Sequence, residues 1–444
     1  MQEPAADREI QDQNEAEVKP AAQTSPAEEP AGQSVEGTPD TSGDETGNED
    51  GRQEATQQNQ PAFSPIYTDV SQCEDTGEIV FTVSPIELDA ITALEPLGEL
   101  TGIVAGHITP GDHTGFQYAG PPDFPAYDLR ALADGFIVRV ERHPYTPPEG
   151  YPAGIKNYHV YFEHSCTFFT GYIHVTELAP EILAADDELA RIDAAPSTED
   201  SFTYPRIPVK AGQIIGKVQG VSLLGMLTVD TSVTHNDYVT PSIYEGEPWK
   251  RHAVAPYDYF TEDIREKLME KNPRTAEPRG GRYAFDIDGR LVGNWFQDGT
   301  GYAGGDADVV QGTCGNSPCP YWNGHLAFVY DFVTPDQVRI SIGYDTGLYP
   351  GTPYGVKGNT PDPANVSVET GPVKYELVAL EDVTTDYGFV TMSMPLITRN
   401  DESRVIAVFL VEMVDDRTIK MEIFPDMTAG QVTGFTDSAK IYRR

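Results

Sequence analysis

The sequence predicts a mainly β protein, built as two successive β domains behind an acidic tail that stays unfolded. Two observations carry this reading. From about residue 63 onward, short runs of β-branched and aromatic residues recur between Gly- and Pro-rich turns, with the length of strands rather than helices. Before that point, fifteen acidic residues stand against only Arg8, Lys19 and Arg52, with no aromatic until Phe63. Such a stretch cannot bury enough apolar surface to offset the entropy lost on ordering.

In chain order, residues 1–62 form the tail and residues 63–260 a first β domain. Its strands are expected at 136–141, 158–163, 168–174 and 214–218, with an acidic helix or loop excursion over 179–192. Thr261 followed by Glu262 and Asp263 reads as a helix start, so a helix and a Pro- and charge-rich stretch form a connector over 261–279. Residues 280–444 form the second domain. Strand candidates there run 283–288, 290–296, 325–332, 338–344, 373–380, 389–395, 405–414 and 418–424, a succession that suits an antiparallel β-sandwich or a closed barrel.

Seventy Asp and Glu against thirty Lys and Arg leave a formal charge of −40. Phosphate backbones and anionic lipid repel such a surface, which argues against nucleic acid as a partner. No run of about eighteen apolar residues is present, so no transmembrane segment is expected. Met1-Gln2-Glu3-Pro4 lacks the basic and apolar character of a secretory signal. Cytosolic residence and a numbering that starts after a removed export signal both fit that observation. The tail favours the second, because its composition is similar to the acidic stalks of lipid-anchored bacterial surface proteins. The expected location is therefore secreted, periplasmic or cell-surface, with a lipid anchor before the numbered chain as one route.

Cys73, Cys166, Cys314 and Cys319 fall two and two into the folded regions. Disulfides Cys73–Cys166 and Cys314–Cys319 are preferred over zinc, because C-x4-C without a second pair or a nearby His matches a zinc ribbon poorly.

Four blocks of the first domain resemble lysostaphin-type zinc endopeptidases, whose fold is the duplicated hybrid motif. Residues 131–138, Ala-Leu-Ala-Asp-Gly-Phe-Ile-Val, resemble the family's A-x-A-D-G-x-V, and residues 158–164 its y-V-x-I-x-H. Residues 170–175 resemble T-x-Y-x-H-L, and residues 209–218, Val-Lys-Ala-Gly-Gln-Ile-Ile-Gly-Lys-Val, its V-k-x-G-Q-x-I-G-x-v. The resemblance implies a β-sandwich over about residues 113–230 and a zinc held by two His and one Asp, with water at the open position. This chain departs from that pattern where the metal would sit. In H-x-x-x-D, His113 is kept but Gln117 replaces the Asp; in the family's H-x-H segment stand Met226, Leu227 and Thr228, followed by Asp230. An amide is a poor zinc ligand beside a carboxylate. The reading is a metal-free scaffold in which His113 is a vestigial ligand. His164 and His174 are vestigial catalytic candidates, and Gln117, Met226, Thr228 and Asp230 line the old groove. The rival reading regroups His107, Asp112 and His113 with His174 or His235 into a rebuilt zinc site.

In the second domain, Gly293-Asn294-Trp295 and Arg443 are similar to the Gly-x-Trp and closing Arg of lipocalin-like barrels. Asp286-Ile287-Asp288-Gly289 and the Asp-rich stretch 298–308 offer oxygen ligands for calcium, without completing an EF-hand. Tyr321, Trp322 and Tyr349 are loop aromatics that could stack on sugars. No phosphate loop, nucleophile elbow or dinucleotide fingerprint is present. The expected function is a non-catalytic envelope or surface protein that binds a cell-wall component or an envelope protein, with no cofactor required. Two alternatives remain: a zinc metallohydrolase with shifted ligands, and a structural subunit that assembles with copies of itself.

Overall fold

Apolar residues at every second position give each strand one buried face, and the partner of that face decides the architecture. The structure, a computed structural model, describes residues 73, 77–101, 107–120, 123–147, 149–196, 200–235, 237–245, 247–300, 313–314, 317–318, 324–343, 348, 353–389 and 395–444. The acidic tail and the loop aromatics Tyr321, Trp322 and Tyr349 lie outside these residues. So does the Cys314–Cys319 pairing, because Cys319 is not among them.

The first region contributes β1 (Ile91–Glu95), β2 (Thr114–Tyr118), β3 (Tyr127–Arg130), β4 (Gly135–His143), β5 (Asn157–Glu163), β6 (Phe168–Val175) and β7 (Glu177–Leu178). Helices α1 (Pro180–Leu183) and α2 (Asp187–Ala194) follow, the second capped by the Asp186 carboxylate accepting the Leu189 N–H at 2.8 Å. Then come β8 (Ser201–Thr203), β9 (Ile207–Val209), β10 (Ile214–Val218) and β11 (Leu223–Asp230). An antiparallel sheet runs β1-β2-β11-β6-β5-β4-β8, with β9 also on β4, and a smaller sheet runs β3-β10-β7.

The smaller sheet covers one face of the larger. Leu129, Leu178, Ile215 and Val218 pack against Phe116, Ile137, Val160, Phe162, Tyr172 and Met226, and Ile264 and Leu268 of helix α3 (Glu262–Met269) join the same core. A disulfide joins Cys73 to Cys166, with a Cα–Cα separation of 5.1 Å.

The second region contributes β12 (Gly293–Gln297), the hairpin β13 (Thr313–Cys314) and β14 (Ser317–Pro318), β15 (His325–Tyr330), β16 (Val338–Ile342) and β17 (Tyr354–Val356). After these come β18 (Val373–Asp382), β19 (Thr398–Asp401), β20 (Ala407–Asp415), β21 (Thr418–Pro425) and β22 (Lys440–Arg443). Strands β12, β15, β16, β17, β18, β20, β21 and β22 pair in that order and β22 returns to β12, so the antiparallel sheet closes as a barrel rather than a sandwich. Eight strands enclose a space that side chains can fill. Trp295, Phe328, Tyr375, Phe409 and Tyr442 fill it, each fully buried. Residues 283–288, expected as a strand, form no ladder, and Asp288 lies in a turn. There Tyr283 and Ala284 are drawn into contact with the first sheet, and the buried Asp286 accepts the Asn294 N–H at 3.0 Å and the Val239 N–H at 3.2 Å.

The closing arginine also differs from the expectation. Arg443 points outward to Asp298 at 2.7 Å, whereas the Arg444 guanidinium lies 4.1 Å from the Trp295 ring centroid and donates to the Val292 carbonyl at 2.6 Å. Alternation along β22 explains this: Tyr442 faces the barrel interior, Arg443 faces solvent, and Arg444 turns back over the indole.

The outer face of the large sheet is divided. Phe169, Leu227 and Val229 are covered by Tyr238, Tyr244, Tyr283 and the barrel residue Phe296. Further along the same strands, the face stays polar and partly open, and the candidate site lies there.

Candidate functional site

Two β-bulges decide which side chains reach this open face. In the β4–β5 ladder, Ile137 pairs with Phe162 and Arg139 with Tyr161, so Val138 is an extra residue. A one-residue insertion flips the alternation. Ile137 faces the core, and Arg139, Glu141 and His143 face outward beside His159 and Tyr161. In the β5–β6 ladder, Tyr158 pairs with Val175 and His159 with Ile173, which leaves His174 bulged with φ of 70°. A non-glycine residue in the left-handed region carries backbone strain that the surrounding ladder must hold in place. The bulge turns the His174 ring to within 6.1 Å of the His159 ring.

Five imidazoles thus share one face: His107, His113, His143, His159 and His174. Burial first, and then the His159, His113, His107 and His143 rings, push His174 down to about 3. Its Nδ1 lies 3.2 Å from Asn157 Oδ1, so a proton on Nδ1 is held there and Nε2 is left as an acceptor. Burial likewise lowers His159, against the opposing pull of Glu141.

On the β2 side, the residues mapped from the peptidase pattern are engaged in other contacts. Asp112 Oδ2 accepts from Lys250 Nζ at 2.8 Å and Trp249 Nε1 at 3.1 Å, and Asp112 Oδ1 lies 3.2 Å from His113 Nδ1. Burial alone would raise this carboxyl, but the Lys250 ammonium and His113 outweigh it and hold it far below the usual carboxylate range. His107 packs against His113 with ring centroids 4.9 Å apart, and its Nδ1 lies 3.5 Å from Glu99. Gln117 is fully buried and donates to Glu95 at 2.5 Å. Burial, followed by the neighbouring Glu99, pushes Glu95 well up.

Met226 and Thr228 do not line a groove. His113, Gly115 and Gln117 alternate outward on β2, opposite Gly225 and Leu223 of β11, whereas Leu224 and Met226 point into the hydrophobic core and Thr228 is fully buried on that same side. The outward positions of β11 are therefore Leu223, Gly225, Leu227 and Val229, none of them a metal ligand. Asp230 sits at the far end of the strand, where it accepts from Tyr259 at 2.9 Å and from the Ser232 N–H at 2.9 Å.

His164 and His235 are also separate from the face. His164 is buried between the Asp134 carbonyl, 2.9 Å from Nδ1, and Thr170 Oγ1, 2.8 Å from Nε2, and burial lowers it to about 4. His235 Nε2 donates to the Ala253 carbonyl at 2.7 Å. Of the calcium candidates, Asp288 pairs with Arg417 at 2.5 Å.

The β4 side gathers a group that the sequence reading passed over. Glu141 stands directly opposite His159, and His143 is two residues further along the same strand face. Glu141 Oε2 lies 3.3 Å from His143 Nε2, 3.4 Å from His159 Nδ1 and 3.2 Å from the Tyr161 hydroxyl; Oε1 pairs with Arg139. Among the described residues, these three are the one His/Cys/Asp/Glu group whose ligand atoms all lie within 4.8 Å of one another. His143 Nδ1 is held by Asp200 at 3.0 Å. Hydrogen bonding to Glu141 raises His143 above its ordinary value. Burial opposes, but His143, His159 and Arg139 outweigh it and hold Glu141 far below the carboxylate range. The available signal was Glu141-Arg142-His143, two potential ligands at strand spacing, but the strand was expected to end at 141.

On edge strand β8, Phe202 stands opposite Glu141, and Phe202 and Tyr204 are 59% and 43% exposed. Their rings make an edge contact at 5.7 Å, and Arg139 lies 5.8 and 5.4 Å from their centroids.

No protein-family model matches the chain. No curated protein matches it either. A solved structure similar over part of the chain is a zinc-containing peptidase from Vibrio cholerae, at 15% identity over 35% of this chain and 38% of that one, with a TM-score of 0.16. The match spans little more than a third of that protein's length, and a likeness this slight carries no weight for fold or activity.

Proposed function

We propose that this chain is a non-catalytic envelope or surface protein that binds a cell-wall component across the open face of the large sheet. The observation that carries the reading is the exposed Phe202–Tyr204 pair beside a polar, histidine-rich surface. Exposed aromatic rings present flat apolar faces on which sugar rings stack, while Arg139, His159 and Asn157 offer donors and acceptors to peptide groups. The Cys73–Cys166 disulfide suits an oxidising, extracytoplasmic compartment. Among the described residues, no helix is long and apolar enough to cross a membrane. The absence of any ligand on the outward side of β11 separates this face from the peptidase pattern that the sequence resembles. Co-sedimentation with peptidoglycan sacculi at moderate salt tests the proposal. The wild-type protein is retained and the Phe202→Ala/Tyr204→Ala variant is released; a wild-type protein that stays in the supernatant overturns it.

A second reading, zinc-dependent hydrolysis on shifted ligands, is favoured by the convergence of Glu141, His143 and His159. It requires chelator-sensitive release of soluble fragments from sacculi, and their absence at saturating zinc rejects it.

A further inference from the structure

We infer that Glu141, His143 and His159 form a binding site for a zinc-class divalent cation, built on β4 and β5. The geometry carries this. Two ligands each about 2.0–2.1 Å from one ion, at the tetrahedral angle, stand about 3.3–3.4 Å apart. Glu141 Oε2 is 3.3 Å from His143 Nε2 and 3.4 Å from His159 Nδ1. Two imidazoles and one carboxylate are a donor set that zinc accepts.

The surroundings fit the same role. Asp200 holds His143 Nδ1 at 3.0 Å, which leaves Nε2, facing Glu141, as the nitrogen that an ion would take. A carboxylate behind a ligating His fixes the ring and its tautomer. The Tyr161 hydroxyl steadies Glu141 from the neighbouring strand, and Arg139 pairs with the other carboxylate oxygen. The three side chains are between 13% and 34% exposed, so an ion can enter and one coordination position stays open toward the face. His174, held through Nδ1 by Asn157, stands beside His159.

The site does not depend on wall binding, because metal is read on the protein alone. The test uses the full chain, rinsed with chelator and titrated with zinc in competition with a chromophoric chelator, with elemental mass spectrometry of the dialysed product. The expected result is about one zinc per chain, lost in His143→Ala, His159→Ala and Glu141→Gln. It is retained in His113→Ala and in Phe202→Ala/Tyr204→Ala, and Asp200→Asn weakens it about 10–100-fold. Should the ligand variants fold poorly, zinc protection of His143 and His159 in the wild-type protein against diethyl pyrocarbonate, read by mass spectrometry, gives the same answer. A wild-type protein that holds no zinc, or zinc that survives His159→Ala but not His113→Ala, overturns the site.

Discussion

Two groups of histidines share one sheet face, and their neighbours give them opposite roles. Around β2, His113 and Asp112 are locked into a buried network with Lys250 and Trp249, and the outward positions of facing β11 are Leu223, Gly225, Leu227 and Val229. Around β4, Glu141 faces two imidazoles at metal-ligand spacing, and a bulge at Val138 aims Glu141 and His143 to the face that His159 of β5 shares. The residue types are nearly the same; what differs is the placement of the cation, for Lys250 and Trp249 both bond Asp112 Oδ2 whereas Arg139 pairs with Glu141 Oε1 and Oε2 faces the two imidazoles. A buried carboxylate with its own ammonium is a structural pair. One whose second oxygen faces two imidazoles sits where a cation can replace their shared protons.

The largest effect that separates the two groups is expected at Lys250. Its side chain is 10% exposed and Asp112 is 9% exposed, so Lys250→Ala strands a buried charge and costs about 3–5 kcal/mol in denaturant unfolding. A loss below about 1 kcal/mol would mean that Asp112 is free to act as a ligand, and the contrast fails.

His164 provides the next test, because it is a structural histidine close to the face in sequence. Its folded value of about 4 lies below the ordinary 6.5, so unfolding takes up a proton between those pH values. Stability from this group is complete above about pH 6.5 and falls by on the order of 3 kcal/mol as pH drops through about 4. A pH series of chemical denaturation should show that slope, and His164→Gln should flatten it.

The smallest expected effect lies at the rim. Phe202→Ala/Tyr204→Ala removes exposed rings and their contact with Arg139, and should change stability by about 0.5 kcal/mol while abolishing retention on sacculi. A variant that unfolds instead would make the aromatic pair a structural element.

Much of the fold was legible in the sequence, because alternation and turn residues mark strands locally. Phe162, Val160 and Tyr172 sit in the core that their spacing implies, and Cys73 joins Cys166 as expected. A sandwich and a barrel both fitted the strand succession of the second domain, and the β12–β22 and β17–β18 pairings decide for the barrel, with Arg444 rather than Arg443 over the Trp295 indole. The site was harder to read because it depends on register. Aligning Met226 and Thr228 to a ligand pair assumed that they share a face with His113, and the β2–β11 pairing puts them on the opposite side. Likewise, no local pattern announces the Val138 bulge, the reversed φ of His174 or the register that brings His159 opposite Glu141. Those features arise from the closing of the sheet, and sequence spacing carries no trace of them.

The most direct test of the shift from β2 to β4 is anomalous scattering at the zinc edge from crystals of the full chain grown with zinc. The account predicts one strong peak between Glu141, His143 and His159. A peak between His107 and His113, or none on this face, would contradict it.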